Sequence, residues 1–265
     1  MRTLSICMLA VLAAACTVKE DRNWCPALCV VYSDGYVADG CPGELTCSIS
    51  SESHGKLDSG TGSISSFSEK GNMVFEVPRN ENVFVDVFCG VSTMTLTESA
   101  LRIPMGFCCD GIYSGHGSLM ITGEVGEAGL PIHKDYARLT LVLDAGQDDG
   151  DPLYLRILGN VDGYTLPGGR PHRGEFDYRP PEIGSGVFRA LIPRQSDDSL
   201  TLEICRRDDG SRVALHYLGK SILDLGYDWE RPDLMDLDVT ISMNEMSFGI
   251  EIVPWEENDD NNITL

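Results

Sequence analysis

Apolar and polar residues alternate with a period of two along several parts of this chain. In Asn82–Cys89, one face collects Val83, Val85, Val87 and Cys89. In Ala137–Asp144, Ala137, Leu139, Leu141 and Leu143 lie opposite Arg138, Thr140 and Asp144. Leu200–Cys205 sets Leu200, Leu202 and Ile204 against Thr201, Glu203 and Cys205. Asp236–Met243 sets Leu237, Val239, Ile241 and Met243 against Asp236, Asp238, Thr240 and Ser242. In Phe248–Val253 the apolar face is Phe248, Ile250 and Ile252. Such alternation predicts strands with one buried face. Asp110-Gly111, Asp162-Gly163, Pro167-Gly168-Gly169 and Asp209-Gly210 read as turns between them, and Gly115-His116-Gly117 as another. With 28 glycines and 13 prolines, long helices have little room. The pattern predicts an all-β chain of stacked antiparallel sheets. The stretch Gly123–Lys134, with Gly123, Gly126, Gly129 and Pro131, reads as a boundary, and strand pattern resumes at Tyr136. The expected organisation is a sandwich over 25–130, a second over 131–256, and an acidic tail at 257–265.

The N-terminus adds an address. Arg2 precedes an apolar run, Leu4 to Leu12, broken only by Ser5. Ala13-Ala14-Ala15-Cys16 follows, then the charged Lys19-Glu20-Asp21-Arg22. A positive start, a short apolar stretch and small residues describe a secretory signal over 1–15, too short to span a bilayer. A cysteine directly after the small residues marks a bacterial lipoprotein signal, in which Cys16 becomes an acylated N-terminus and 16–24 a linker. The place three before it, where a large aliphatic residue is usual, holds Ala13, with Leu12 one earlier. An ordinary signal cut after Ala15, with Cys16 a plain thiol, is the alternative.

Charge and cysteine count narrow the picture further. The formal net charge is −21, and removing residues 1–15, whose single charged residue is Arg2, takes it to −22. So acidic a chain is repelled by nucleic acid and by anionic membrane surfaces, so membrane attachment, if present, must come through the lipid. Ten cysteines are present. Beyond Cys7 in the signal and Cys16, the remainder are Cys25, Cys29, Cys41, Cys47, Cys89, Cys108, Cys109 and Cys205. An even number in an exported chain predicts disulfides within it, in a pairing that sequence does not give. Cys25, Cys29, Cys41 and Cys47 are loosely spaced for the alternative, a zinc cluster. Cys108-Cys109 is not expected to form a vicinal bridge.

No enzyme motif is present: no His-Glu-x-x-His, no Gly-x-Ser-x-Gly and no phosphate loop. No catalytic residue, metal ligand or cofactor is therefore predicted. His54, His116, His133, His172 and His216 are scattered and read as surface or packing residues. Asp148-Asp149-Gly150-Asp151 lacks the spacing and distal glutamate of a calcium loop and reads as a solvated hairpin tip, as do Asp197-Asp198 and Asp208-Asp209. Trp24, Trp229 and Trp255 read as core plugs rather than a sugar-stacking platform.

Taken in order, several segments resemble the fimbrillin anchor and accessory lipoproteins (FimB-like) of Gram-negative anaerobes. They are Cys16 with Lys19-Glu20-Asp21-Arg22, Cys25-Pro26 leading into a strand at Ala27–Tyr32, and Ile103-Pro104-Met105-Gly106. Then come Tyr136–Leu143, Leu218-Gly219-Lys220, Gly226-Tyr227-Asp228-Trp229 and Asp233–Ile241. Each piece is weak alone; the set spans nearly the whole mature chain. The resemblance implies two tandem transthyretin-like sandwiches, a lipid-held N-terminus on the outer face of the outer membrane, and a role in fimbriae or adhesion. The extra cysteines depart from the family pattern. It also implies that Asp198-Ser199-Leu200 fits the Asp-Ser/Thr-aliphatic pattern at which such bacteria attach O-glycans, on Ser199.

Stalk subunits of that system are activated by a cut after an arginine, which frees the first strand and opens a groove for a neighbour's strand. Here Arg22 precedes every predicted strand, and the next arginine, Arg79, follows several. Neither cut opens a groove cleanly, so lipid and first strand are expected to stay, as an anchor requires. The leading expectation is a lipid-anchored fimbrial anchor or accessory subunit whose partners are pilin subunits, joined by strand addition. The alternative is a surface lipoprotein that holds glycan or a host protein without joining a fimbria.

Overall fold

The computed structural model describes residues 25–144, 153–242 and 247–253. Cys16, Trp24, Trp255, the Asp148–Asp151 run and the tail 257–265 lie outside these residues. The chain is all-β. Its strands in order are β1 (Ala27–Val37), β2 (Glu44–Ser51), β3 (Gly55–Ser63), β4 (Met73–Val77), β5 (Asn82–Cys89), β6 (Thr95–Leu96) and β7 (Ala100–Arg102). There follow β8 (Tyr113–Met120), β9 (Val125–Lys134), β10 (Tyr136–Asp144), β11 (Leu153–Thr165), β12 (Pro171–Tyr178) and β13 (Glu182–Gly184). The last are β14 (Val187–Pro193), β15 (Thr201–Arg206), β16 (Arg212–His216), β17 (Asp236–Ser242) and β18 (Ser247–Val253). Two short helices interrupt them, α1 (Ile64–Ser68) and α2 (Leu218–Asp224).

The first half forms a seven-stranded sheet in the order β3-β2-β5-β8-β9-β1-β4. It curls so that its two edges face each other: a Cβ on Gly60 of β3 would stand 3.3 Å from the Phe75 ring of β4. Inside lies one apolar cluster, with Cys29, Val31, Cys47, Ile49, Val83, Val85, Val87 and Ile132 buried. The second half stacks a five-stranded sheet, β13-β14-β10-β17-β18, on a six-stranded one, β16-β15-β11-β7-β6, with β12 also on β11. Its cluster includes Leu139, Leu141, Leu155, Ile157, Leu202, Ile204, Leu237 and Val239. These are the apolar faces that the alternation marks out.

The division between the halves is not a single cut. The glycine-rich stretch expected as a boundary is strand β9, which pairs with β1 in parallel and with β8. Its small residues serve close packing: a Cβ on Gly126 would meet Ile121 at 2.5 Å. Residues ahead of β8 cross over instead. Met94, Leu101, Ile103, Cys109 and Ile112 are buried in the second cluster, and β7 pairs with β11. The Ile103–Gly106 segment thus serves the second sandwich, while β8, the strand after it, lies in the first sheet. Only Asp135 separates the end of β9 from the start of β10.

Three expected turns are corrected. Asp162-Gly163 lies within β11, where the β12 register shifts, and Gly163 (φ +147°) passes against Leu101 of β7. Gly115-His116-Gly117 lies inside β8, its glycines admitting β9: a Cβ on Gly115 would stand 2.3 Å from Pro131 O. Asp110 is buried rather than at a hairpin tip. Pro167-Gly168-Gly169 and Asp209-Gly210 are turns, with Gly168, Gly169 and Gly210 at positive φ.

Candidate functional site

Strand β9 hands over to β10 through Lys134, Asp135 and Tyr136, and a polar seam is built around these three residues. Lys134 is 1 % exposed. Its Nζ donates to Asp236 Oδ1 (2.7 Å) and to Leu234 O (2.9 Å) and stands 4.6 Å from the centre of the Tyr136 ring. Asp236 also accepts from the Arg138 backbone N–H (2.9 Å) and pairs with the Arg138 guanidinium (2.7 Å). Burial holds the Lys134 ammonium below the usual lysine range despite the neighbouring Asp236 charge. Asp135 accepts from Ser114 Oγ (2.9 Å) and Arg194 Nε (2.5 Å). The same Arg194 reaches the carbonyls of Trp229, Arg231 (2.8 Å) and Pro232 (3.1 Å), and the Tyr164 hydroxyl donates to Asp135 O. Asp233 accepts from the Lys134 N–H (2.8 Å) and from the Tyr36 hydroxyl (2.8 Å), and its carboxylate meets His133 Nδ1 (3.1 Å). Residues about 100 apart in sequence thus lock the two cores together.

Two further contacts extend the seam. Asp86 on β5 accepts from His116 Nδ1–H and from the Gly168 backbone N–H, each 2.8 Å, so a first-half strand holds a second-half turn. Asp110 accepts from the backbone N–H groups of Ser92, Thr93 and Met94 and from the hydroxyls of Ser92 and Thr93, at 2.7–2.9 Å. Burial opposes its charge, but these donors outweigh burial and hold its carboxyl below the usual range. The cradle fixes the chain where it leaves the first sandwich for β6.

The histidines expected as surface or packing residues are mostly carboxylate partners: His54 with Glu81, His116 with Asp86, His133 with Asp233 and His172 with Asp162. Asp197 sits at its turn as an acceptor for Asn160 Nδ2 (2.8 Å) and Ser199 N (3.0 Å). Trp229 is buried against Tyr227, ring centres 4.5 Å apart. The Ser199 hydroxyl oxygen is buried, so a glycan there would have to be attached before folding closes over it.

All eight described cysteines stand as free thiols in this structure. Most act as small hydrophobes. Cys29 and Cys47 fill the first core, and burial pushes Cys29 up to about 11 and Cys47 higher still. Cys109 lies 4.0 Å from the Met94 sulfur in the second core. Cys205 on β15 is buried, Cys108 is half-buried and Cys25 is exposed. Cys41 and Cys89 are neighbours; the hydrogen bond between their thiols and then burial push Cys89 well up.

A cleft of about 700 Å³ opens at the ends of β2, β3 and β5, between Pro42, Leu45, Thr61, Ser63, Phe88 and Val91. Its only ionisable lining group is Glu44. Among the described residues, the free sheet edges are β3 and β4 in the first half, and β13, β18, β16, β6 and the outer side of β12 in the second. Sequence reasoning marked β18 as a strand; nothing local could mark it as an edge.

No family model matches the sequence, and no curated protein matches it. Solved structures do. The fimbrial anchor protein Mfa2 from Porphyromonas gingivalis is similar over 87 % of this chain and 98 % of its own, with a TM-score of 0.62 at 11 % identity. A candidate polysaccharide-binding protein from Bacteroides thetaiotaomicron matches over 87 % and 99 %, TM-score 0.60, at 11 % identity. A candidate adhesin from Bacteroides ovatus matches over 88 % and 97 %, TM-score 0.60, at 11 % identity. Three of the segments that carry the fimbrial resemblance meet in the seam, through Tyr136 and Arg138, Trp229, and Asp233 and Asp236. Over 87–88 % of its length this chain shares the fold of these three proteins, the fimbrial anchor Mfa2 among them.

Proposed function

We propose that this protein is a lipid-anchored cell-surface subunit that holds or accompanies a fimbria. The observation that carries the reading is the end-to-end likeness to a fimbrial anchor protein, whose chain is covered to 98 %. The signal and Cys16 supply the tether. The seam suits a subunit that is pulled on, since buried charge-assisted contacts between the halves resist hinging.

The topology favours a retained first strand. β1 lies between β9 and β4, and β2 between β3 and β5. A cut after Arg79 would remove β1 to β4 and most of the first core. The groove-opening step of a stalk subunit has no place here.

The partner's strand is best received by β18. It runs seven residues, is paired with β17 along its full length, and has one charged residue, Glu251, and no described strand on its outer side. The other edges are protected: β6 and β13 are two and three residues long, β3 carries Lys56, Asp58, Gly60 and Gly62, β16 begins with Arg212, and β12 opens on Pro171 and carries Arg173, Glu175 and Asp177. β4 has only five residues and an exposed Glu76. A pilin segment of alternating pattern would extend the five-stranded sheet at β18.

Substituting Cys16→Ala tests the tether and the role together, because Cys16 lies ahead of the folded strands. Metabolic labelling with a tagged fatty acid is expected to mark the wild type and not the variant. Cells carrying the variant are expected to shed fimbriae into the medium. Equal labelling contradicts the lipid; attached fimbriae of normal length contradict the anchor. Persistent surface binding of a polysaccharide with no fimbrial defect would instead favour a binding lipoprotein, the reading suggested by the Bacteroides thetaiotaomicron likeness.

A further inference from the structure

Cys41 lies in the connection between β1 and β2, and Cys89 is the last residue of β5. The β2–β5 ladder pairs Leu45 with Cys89, which brings the start of β2 and the chain just before it alongside the end of β5. The residues that follow the two cysteines also meet: a Cβ on Gly90 would stand 3.5 Å from Pro42 Cγ. Both cysteines pack on the first core, Cys89 at 1 % exposure and Cys41 half-buried at its rim. By contrast, Cys109 faces the sulfur of Met94, which cannot form a disulfide.

We propose that Cys41 and Cys89 are joined by a disulfide in the exported protein. The two thiols together lose two protons and two electrons. A protein disulfide of the exporting compartment accepts the electrons, passes through a mixed disulfide with one of the pair, and leaves as a dithiol. The bond closes a loop of about 48 residues and straps the β1–β2 connection to the centre of the seven-stranded sheet. It lies beside the cleft, whose lining includes Pro42, Phe88 and Gly90, and it holds the β2–β3 edge hairpin against β5. Cys29, Cys47, Cys109 and Cys205, each buried, stay reduced as packing residues. The geometry stands on its own; formation in the cell rests on the export reading.

Peptide mapping separates the two. The mature protein is refolded in a glutathione buffer, its free thiols are blocked, and it is digested without reduction. Cleavage before Asp39 and after Glu44 isolates Cys41 from Cys25, Cys29 and Cys47, and cleavage before Asp86 and after Glu98 isolates Cys89. The expected product is these two peptides linked, in most molecules, and absent from Cys41→Ser. Wild type is expected to melt about 10 °C higher than Cys41→Ser, a gap that reductant abolishes. Both peptides singly blocked, or Cys41 linked to another cysteine, would overturn the proposal on geometry. A linked pair after refolding but blocked thiols in protein taken from cells would overturn it through the export reading instead.

Discussion

Asp236→Ala is expected to cost about 3–5 kcal/mol of stability, the usual penalty for leaving a buried charge without its partner. Asp236 is 4 % exposed and Lys134 1 %. The carboxylate receives the Lys134 ammonium, the Arg138 backbone N–H and the Arg138 guanidinium at 2.7–2.9 Å. Without it, Lys134 keeps only Leu234 O and the face of Tyr136, inside the seam. Arg138 is partly exposed and can turn to water, so the loss centres on Lys134. The double variant Lys134→Met, Asp236→Ala removes the stranded charge and is expected to recover much of the loss. Urea unfolding of the three proteins measures this. A single variant within about 1 kcal/mol of wild type would mean that the seam is not closed as described.

Gly163→Ala is expected to be nearly as damaging, at about 3 kcal/mol or more. Gly163 has φ +147°, which L side chains avoid, and a Cβ there would stand 2.0 Å from Leu101 O. The backbone of β7 is the obstacle, so a side-chain shift gives no relief. Relief requires β7 to leave β11, which would expose Leu101 and loosen Ile103 in the second core. The nearby Asp162, which receives Arg102 and His172, would lose its alignment as well. Gly168→Ala is the control: it too has positive φ, but open space surrounds its Cβ position, so it is expected to cost about 1–2 kcal/mol. Equal effects of the two substitutions would show that close approach to β7 is not what Gly163 serves.

The strands were legible where one face is apolar and the other faces water. Asn82–Cys89 is bounded as the alternation places it, and Val83, Val85, Val87 and Cys89 are buried on one face. Its other face was misleading in part. Asp86 and Phe88 are also buried, because that side of β5 lies against the second half of the chain. Glycine was the chief source of error. Gly115, Gly117 and Gly163 let strands pass closely, and in sequence that use looks the same as a turn. The seam was illegible for another reason. No local pattern sets Lys134, Arg194, Asp233 and Asp236 apart from other charges, and only tertiary contacts between distant segments bury Lys134 and Asp236 and half-bury the other two. The cysteines show the limit of counting: evenness and compartment predict bonds, but a thiol also serves as a small core residue, as Cys29, Cys47 and Cys109 do.

On the proposed reading, a pilin adds a strand to this protein at the outer edge of β18. A photoreactive side chain in place of Glu251, which is exposed on that strand, tests it in cells that assemble fimbriae. Irradiation is expected to give a single adduct of this protein with a pilin. The same group in place of Glu76 on β4, also exposed, is expected to give none. Absence of any pilin adduct at Glu251, with the protein present at the surface of fimbriated cells, would contradict the account.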